Sequence, residues 1–572
     1  MLILGINFNH PETSVVLANE NQLICGIEEE RINRIKNFSG FPVEGIKFIL
    51  KKYGLTLDDI DVITTNNCKN YNLSEKMKYF LKNLLNFSTS FNVSIEKRKT
   101  INEYFQIYFN KDIKKKLKSF PHHLCHAAGS YYTSEFEDCN IVSFDGFGNF
   151  SSLEIYQVRN NQFKLLKKNV FPHSLGLFYQ AITQFLGFKD YGDEYKVMAM
   201  AAYGEDKFKT EMDELLNFDN KKINLNLKYF THYQKKLFSF EDGFPVFPNL
   251  FSKNFFDLFG PERKQNDLLL QKHKDIACSL QRKFETISLQ IINESYRLSP
   301  NKNLILTGGC AMNSLLNGKV IENTNYEDLF INNASSDSGG AIGAISLALE
   351  KKKRLKNFVF NGPSYTNDEI LNVINKYKDR LNDNNCKYFF EENENKINSI
   401  IVDNLKKSNL VGIFRDSMEF GPRALGNRSL IANPQLLNVR EIINKKIKYR
   451  EDFRPFACSI IRDQVNKYFN TKDDKYLDLM NKVFVVKKEY ENLIPGIIHA
   501  DKTTRIQTVD EISNQRFFKL IKLFYEQTGL PMVLNTSLNS SEPICCSPAN
   551  AIDFFLKTKI DVIVLENYVL FR

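Results

Sequence analysis

Short runs rich in β-branched and other apolar residues alternate along this chain with stretches of helical periodicity, which predicts an α/β architecture. Two segments share one pattern. Residues 2–17 (LILGINFNHPETSVVL) and 140–157 (NIVSFDGFGNFSSLEIYQ) each read as an apolar strand, a polar turn and a second strand. A strand–turn–strand in two places predicts a duplicated sheet domain whose turns converge on one cleft. Residues 303–350 add a strand (NLILTGG), a helix from Met312, a short strand (DLFIN) and a Gly-rich helix start, SSDSGGAIGA. Between 350 and 361 the pattern fades into the basic run Lys351-Lys352-Lys353-Arg354, and GPSY at 362–365 reads as a turn into a new unit. The predicted organisation is one domain over 1–355 and a second over 362–572, the latter with strands LVGIF, PMVLN and DVIVLEN of its own. Segments 69–118 and 205–275 are rich in Lys, Asn and Phe and reveal no chemistry.

Composition narrows this only slightly. At 572 residues, 43% hydrophobic and 25% charged, the chain is an ordinary globular sequence too long for a single core. No run approaches the roughly 20 apolar residues of a membrane span, and the first residues lack a basic leader. No membrane partner and a cytoplasmic location are therefore expected. The ten cysteines include no CxxC pair, so free thiols are expected rather than a zinc ribbon or redox motif. The net charge of +10 fits solvated lysine runs and anionic substrates alike, and no basic stripe interleaved with aromatics points to nucleic acid.

Three histidines fall together in PHHLCHAAGSYY, at His122, His123 and His126. On a helix His122 and His126 share a face at the spacing that lets two imidazoles ligate one ion. Asp145 in SFDGFGN and Asp337 in SSDSGG are each flanked by small residues that leave a carboxylate unobstructed. Two His with two Asp suit Fe(II), Mn(II) or Zn(II). Gly308-Gly309 after a strand, and Gly339-Gly340 with Gly343 opening a helix, leave backbone amides for a phosphate and room for an adenosine. With the repeated hairpins they predict a nucleotide cleft of the actin or sugar-kinase kind.

Longer motifs then resemble one family, the O-carbamoyltransferases related to the nodulation-factor, cephamycin and tobramycin enzymes. They are IEEERINRIKNFSGFP (27–42), PHHLCHAAGSYYTSEF, SLGLFYQAITQFLGF with DEYKVMAMAAYG, LTGGCAMN, DSGGAIGA, MEFGPRALGNRSLIANP (418–434), INKKIKYREDFRPFA (443–457), HADKTTRIQTV (499–509) and LNTSLNSSEPI (534–544). The resemblance implies a first domain like the threonylcarbamoyl-tRNA transferase, in the actin-like ATPase superfamily, and a second like the YrdC carbamoyl-adenylating fold. The second would join carbamoyl phosphate and Mg-ATP into carbamoyl adenylate, releasing pyrophosphate. The first would pass the carbamoyl group to a hydroxyl of a small-molecule acceptor, with a divalent metal, Fe(II) first, holding the adenylate.

The resemblance marks His10, Glu12 and Lys36 as catalytic, and Gly308, Gly309, Asn313, Gly339 and Gly340 as nucleotide-binding. Arg423, Arg428, Lys448, Arg450, Arg454 and Arg505 would neutralise phosphate oxygens. Lys448-Tyr449-Arg450 and Ser537-Leu538-Asn539 resemble the KxR and SxN pairs of the YrdC fold, with Asn535 beside them. One departure stands out: the family's first turn reads HDxS, whereas here it reads His10-Pro11-Glu12-Thr13-Ser14, so which residue is the base stays open. A tRNA-modifying threonylcarbamoyl transferase and a non-catalytic ATP-binding scaffold are the alternatives. The chain is expected to act as a monomer or homodimer.

Overall fold

The computed structural model describes residues 1–85, 99–219, 221–234, 239–241, 243–349, 353–472 and 475–572. Lys351 and Lys352 of the basic run lie outside the described residues. The fold is α/β, in two compact units. The first takes in Met1–Ile24, Glu28–Glu30 and Ile35–Lys356, and the second takes in Cys25–Ile27, Arg31–Arg34 and Asn357–Arg572.

Apart from the Cys25–Ile27 stretch of one edge strand, the first unit holds two five-stranded sheets of one design. In one, β1 (Ile3–Asn7) lies between β2 (Ser14–Ala18) and β4 (Val62–Thr65), with β3 (Leu23–Glu28) beyond β2 and β5 (Leu117–Ser119) beyond β4. In the other, β6 (Cys139–Gly148) lies between β7 (Ser151–Arg159) and β9 (Asn303–Thr307), with β8 (Gln162–Val170) and β10 (Asp328–Phe330) outside. Each has an antiparallel hairpin, β1–β2 or β6–β7, and two strands that follow in parallel. The order 3-2-1-4-5 therefore occurs twice. The first strand is buried throughout because both faces are covered: Ile3, Leu4 and Ile6 are fully buried, each worth about 1.5–3 kcal/mol over an exposed position.

Two helices meet beside these sheets. α1 (His122–Thr133) starts directly after Pro121, and α2 (Gly340–Ala348) packs along it. The packing explains the Gly-rich sequence of α2, since a Cβ on Gly343 would lie 1.8 Å from the Cys125 carbonyl oxygen. The helix expected from Met312 is different in form. A turn of 3₁₀ helix (Gly309–Met312) leads into a helix of only four residues, Ser314–Asn317, because Asn313 caps it and Gly318 ends it.

The second unit is one ten-stranded mixed sheet. Its middle runs through Val411–Phe414, Arg428–Ala432, Met532–Ser537, Ala457–Ile461 and Thr503–Val509. Register places Asn535 and Arg505 on either side of Ala457, so the Arg- and Asn-bearing segments emerge from neighbouring strands. No helix among the described residues is long and apolar enough to cross a membrane.

Candidate functional site

In the first unit four side chains from three elements converge. α1 supplies His122 and His126 from successive turns, β6 supplies Asp145, and the 3₁₀ turn before α2 supplies Asp337. The two Nε2 atoms lie 3.0 Å apart. His122 Nε2 is 3.5 Å from Asp145 Oδ2 and 3.4 Å from Asp337 Oδ1; for His126 Nε2 the distances are 3.3 and 3.4 Å. Donor atoms about 2.1 Å from a shared ion lie roughly 3.0 Å apart on an octahedral edge and roughly 3.4 Å apart on a tetrahedral one. Four of the five separations fall in that range and the fifth, 3.5 Å, just beyond it, and Asp337 Oδ1 is buried without a hydrogen-bond partner, so the quartet fits a divalent metal. Two imidazolium charges cannot sit this close. Burial, reinforced by His126, pushes His122 down to about 3, whereas His126, which burial alone would lower, is held at about 9 by Asp145 and Asp337. Burial would raise Asp145, yet its bonds to the histidines keep it well below the usual carboxylate range. His123 faces elsewhere, with Nδ1 2.8 Å from Ser143 Oγ and Nε2 3.0 Å from the Ser151 carbonyl.

The β1–β2 turn brings Glu12 to the same region. Asn7 Nδ2 donates to the Pro11 and Glu12 carbonyls at 3.2 and 3.0 Å, which fixes the turn. Glu12 adopts φ 56 and accepts a hydrogen bond from Ser336 Oγ, beside Asp337. Burial pushes its carboxyl up to about 7 against that bond, with Asp337, Glu30 and Glu28 adding repulsion. His10 packs its ring 4.8 Å from that of His122. Lys36 sits over the Tyr195 ring at 5.8 Å and hydrogen-bonds none of the quartet.

The second unit gathers the opposite charge. Arg505 has a buried Nε with no hydrogen-bond partner, and its guanidinium is driven well below its ordinary pKa by burial and by Arg423, Arg450 and Arg454. Arg450 is anchored by Asn444 Oδ1 at 2.7 Å and lies over the Phe456 ring at 4.7 Å; Arg454 pairs with Glu451 at 3.5 Å. Lys448 Nζ donates to the Ser537 carbonyl at 2.5 Å and to Asn539 Oδ1 at 2.7 Å, and lies 3.3 Å from Ser537 Oγ. The KxR and SxN segments therefore meet in space.

Residues 2–346 match the carbamoyltransferase N-terminus family and residues 402–572 the carbamoyltransferase C-terminus family. The chain belongs to the carbamoyltransferase family. Among relatives, an uncharacterised protein of Synechocystis is 31% identical over 99% of this chain and 96% of its own length. One from Methanocaldococcus jannaschii is 32% identical over 100% and 99%. The nodulation protein NolNO of Sinorhizobium fredii is 29% identical over 100% of this chain and 80% of its own length.

This carbamoyltransferase corrects several residue assignments. Arg428 is not available to a phosphate. It is fully buried, stacks on Phe414 at 3.7 Å, and spends its guanidinium on the carbonyls of Arg415, Asn427, Pro363 and Asp416. Asn535 likewise lies in the sheet, its Nδ2 donating to Ser459 Oγ at 2.9 Å and Gln507 Oε1 at 3.1 Å. The Gly308 amide, at φ 88, is spent on the Ser335 carbonyl at 2.7 Å, and that of Gly339 on the Ser336 carbonyl at 3.1 Å. Gly309 instead lets the backbone pass Asp145, where a Cβ would meet Oδ1 at 2.9 Å, and Gly340 makes room for Asn66. Asn313 is a helix cap, accepting from the Leu316 amide at 3.0 Å and exchanging two bonds with Gln281.

Sequence reasoning missed others. Asn149 Oδ1 takes the His122 amide at 2.9 Å and so seats the start of α1. Glu419 Oε1 accepts the amides of Leu425, Asn427 and Arg428 at 2.6, 2.9 and 3.3 Å, winding the GPRALGN loop around one buried carboxylate. The only signal for either was its place inside a motif.

Proposed function

We propose that this carbamoyltransferase works in two steps at two sites. In the second unit, carbamoyl phosphate loses its phosphate to water, and an oxygen of the resulting carbamate attacks the α-phosphorus of Mg-ATP. Inorganic phosphate and pyrophosphate leave, and carbamoyl adenylate remains. In the first unit, a hydroxyl oxygen of a small-molecule acceptor attacks the carbonyl carbon of that adenylate. AMP departs and Glu12 takes the hydroxyl proton. The reading treats the duplicated sheet as actin-like and the ten-stranded sheet as YrdC-like; the repeated strand order supports the former.

The observation that carries it is the segregation of charge. Arg505, Arg423, Arg450 and Arg454 form an anion site suited to phosphates, which guanidinium groups bind through paired donors. The first unit offers acids and imidazoles, with Glu12 near the ambient pH at which a general base is most effective. His122, His126, Asp145 and Asp337 would hold a divalent ion, iron(II) first with manganese(II) or zinc(II) as alternatives, which when bound supplies positive charge for the adenylate phosphate.

The test is exchange of labelled pyrophosphate into ATP by the full chain. Exchange that requires carbamoyl phosphate is expected. A chain that transfers carbamoyl groups without such exchange would rule out the adenylate route.

A further inference from the structure

The two arginines of the signature EEERINRIK are used by neither step, and each has specific partners. Arg31, buried, donates from Nη2 to the Gly421 carbonyl at 3.0 Å. Arg34 donates from Nη1 to the Ile544 carbonyl at 2.9 Å and from Nη2 to the Pro543 carbonyl at 2.5 Å, with the Glu542 carboxylate 3.4 Å away. Arg34 Nη1 also reaches the Arg31 carbonyl at 3.4 Å. Residues Arg31–Arg34 belong to the second unit although they precede most of the first in sequence.

The carbonyls they hold are informative. Gly421, at φ 115, begins the loop that presents Arg423 and winds around Glu419. Pro543 and Ile544 close the loop that presents Ser537 and Asn539, whose Nδ2 donates to the Glu542 carbonyl at 2.7 Å. Lys448 grips the start of this second loop, and Arg34 its end.

The geometry points to Arg31 and Arg34 as positioning residues that hold the two phosphate-facing loops of the second unit by their backbones. This rests on the two-step reading. A guanidinium suits the task because its planar fork satisfies adjacent carbonyls at once, whereas an ammonium of equal charge is a single point. Neither arginine need touch substrate. Each fixes where Arg423, or the Ser537–Asn539 pair, stands when phosphate arrives.

Full-length Arg34→Ala and Arg34→Lys test this by pyrophosphate exchange with carbamoyl phosphate, alongside metal content, thermal unfolding and transfer from supplied carbamoyl adenylate. Arg34→Ala should lower kcat for exchange by about 100-fold, the effect of a small misplacement of binding groups, with metal content and adenylate transfer unchanged. Arg34→Lys should recover less than tenfold of this, because charge without the fork does not fix both carbonyls. Should the alanine variant not fold, the lysine variant carries the test, its loss of kcat being expected at least tenfold. Wild-type exchange in Arg34→Ala, a loss confined to melting temperature, or full rescue by lysine would overturn the assignment. Absence of exchange in the unaltered chain would instead overturn the two-step reading beneath it.

Discussion

Around His126 two carboxylates and a second imidazole close in, while Arg505 is crowded by three other guanidinium groups. The guanidinium groups repel one another, whereas the quartet holds one charged imidazole between two carboxylates and keeps the other neutral; burial sharpens both effects into shifted proton equilibria. His122 gives up its charge, and Arg505 is driven in the same direction. The comparison teaches that a buried cluster is legible as a binding preference: the quartet offers ligand atoms suited to a cation, the arginines concentrated positive charge suited to anions. The donor spacing around His126 narrows the first to a single ion, whereas the Arg set, with more donors than any one phosphate needs, suits a polyanion.

The contrast breaks most sharply if the proposed metal is removed. Chelation, or His126→Ala, should abolish carbamoyl transfer while carbamoyl phosphate-dependent pyrophosphate exchange persists, measured side by side on one preparation. Full-rate transfer by metal-free protein would remove the cation from the first site.

Glu12→Gln should lower transfer by about 10²–10⁴-fold, as for a lost general base, and leave exchange intact. The sign of the pH dependence follows from the raised carboxyl. Below about 7 Glu12 is protonated and cannot accept the acceptor's proton, so wild-type transfer should climb with pH toward that value, and the limb should vanish in Glu12→Gln. A pH–rate profile that keeps the limb in the variant would assign the base to another group, His10 first.

Arg450→Ala reverses the phenotype. Exchange should fall by about 10²–10³-fold as a transition-state donor is lost, and transfer from supplied carbamoyl adenylate should survive. Equal loss of exchange in Arg450→Ala and Glu12→Gln would merge the two sites into one.

The smallest effect sharpens the metal side. Asn149→Ala removes the acceptor that takes the His122 amide at the first turn of α1. A lost cap costs about 1 kcal/mol, and a loosened ligand support about 10–100-fold in metal affinity. Titration calorimetry with Mn(II) would show this, with exchange kinetics unchanged.

The His–Asp quartet was readable from sequence because its logic is local: an i, i+4 pair and two aspartates in small-residue turns each announce themselves. Lys448 with Ser537 and Asn539 was readable for a different reason, as paired motif segments. What was hidden is what arginines and glycines do with the backbone. Arg428 looks like one more phosphate ligand, yet four carbonyls and a Phe414 stack claim it. Gly308 looks like a phosphate cradle, yet its amide is already spent on Ser335. A carbonyl acceptor has no residue type, so no pattern of side chains reveals which arginine will find one. The duplicated hairpins were visible as repeated apolar runs, but the four-residue helix after Met312 was not, because its ends are set by Asn313, itself held by Gln281, and by Gly318.

The passage of Arg31–Arg34 into the second unit bears on how such enzymes can be recombined. A chimaera joined at the linker after Lys356 would look modular on paper, yet it would marry one parent's Gly421 and Pro543 loops to the other parent's clasp. Transplanting the later half with residues 25–34 of the same parent keeps donor and carbonyl together, so the heritable module is discontinuous: a ten-residue token near the start travels with everything beyond residue 356.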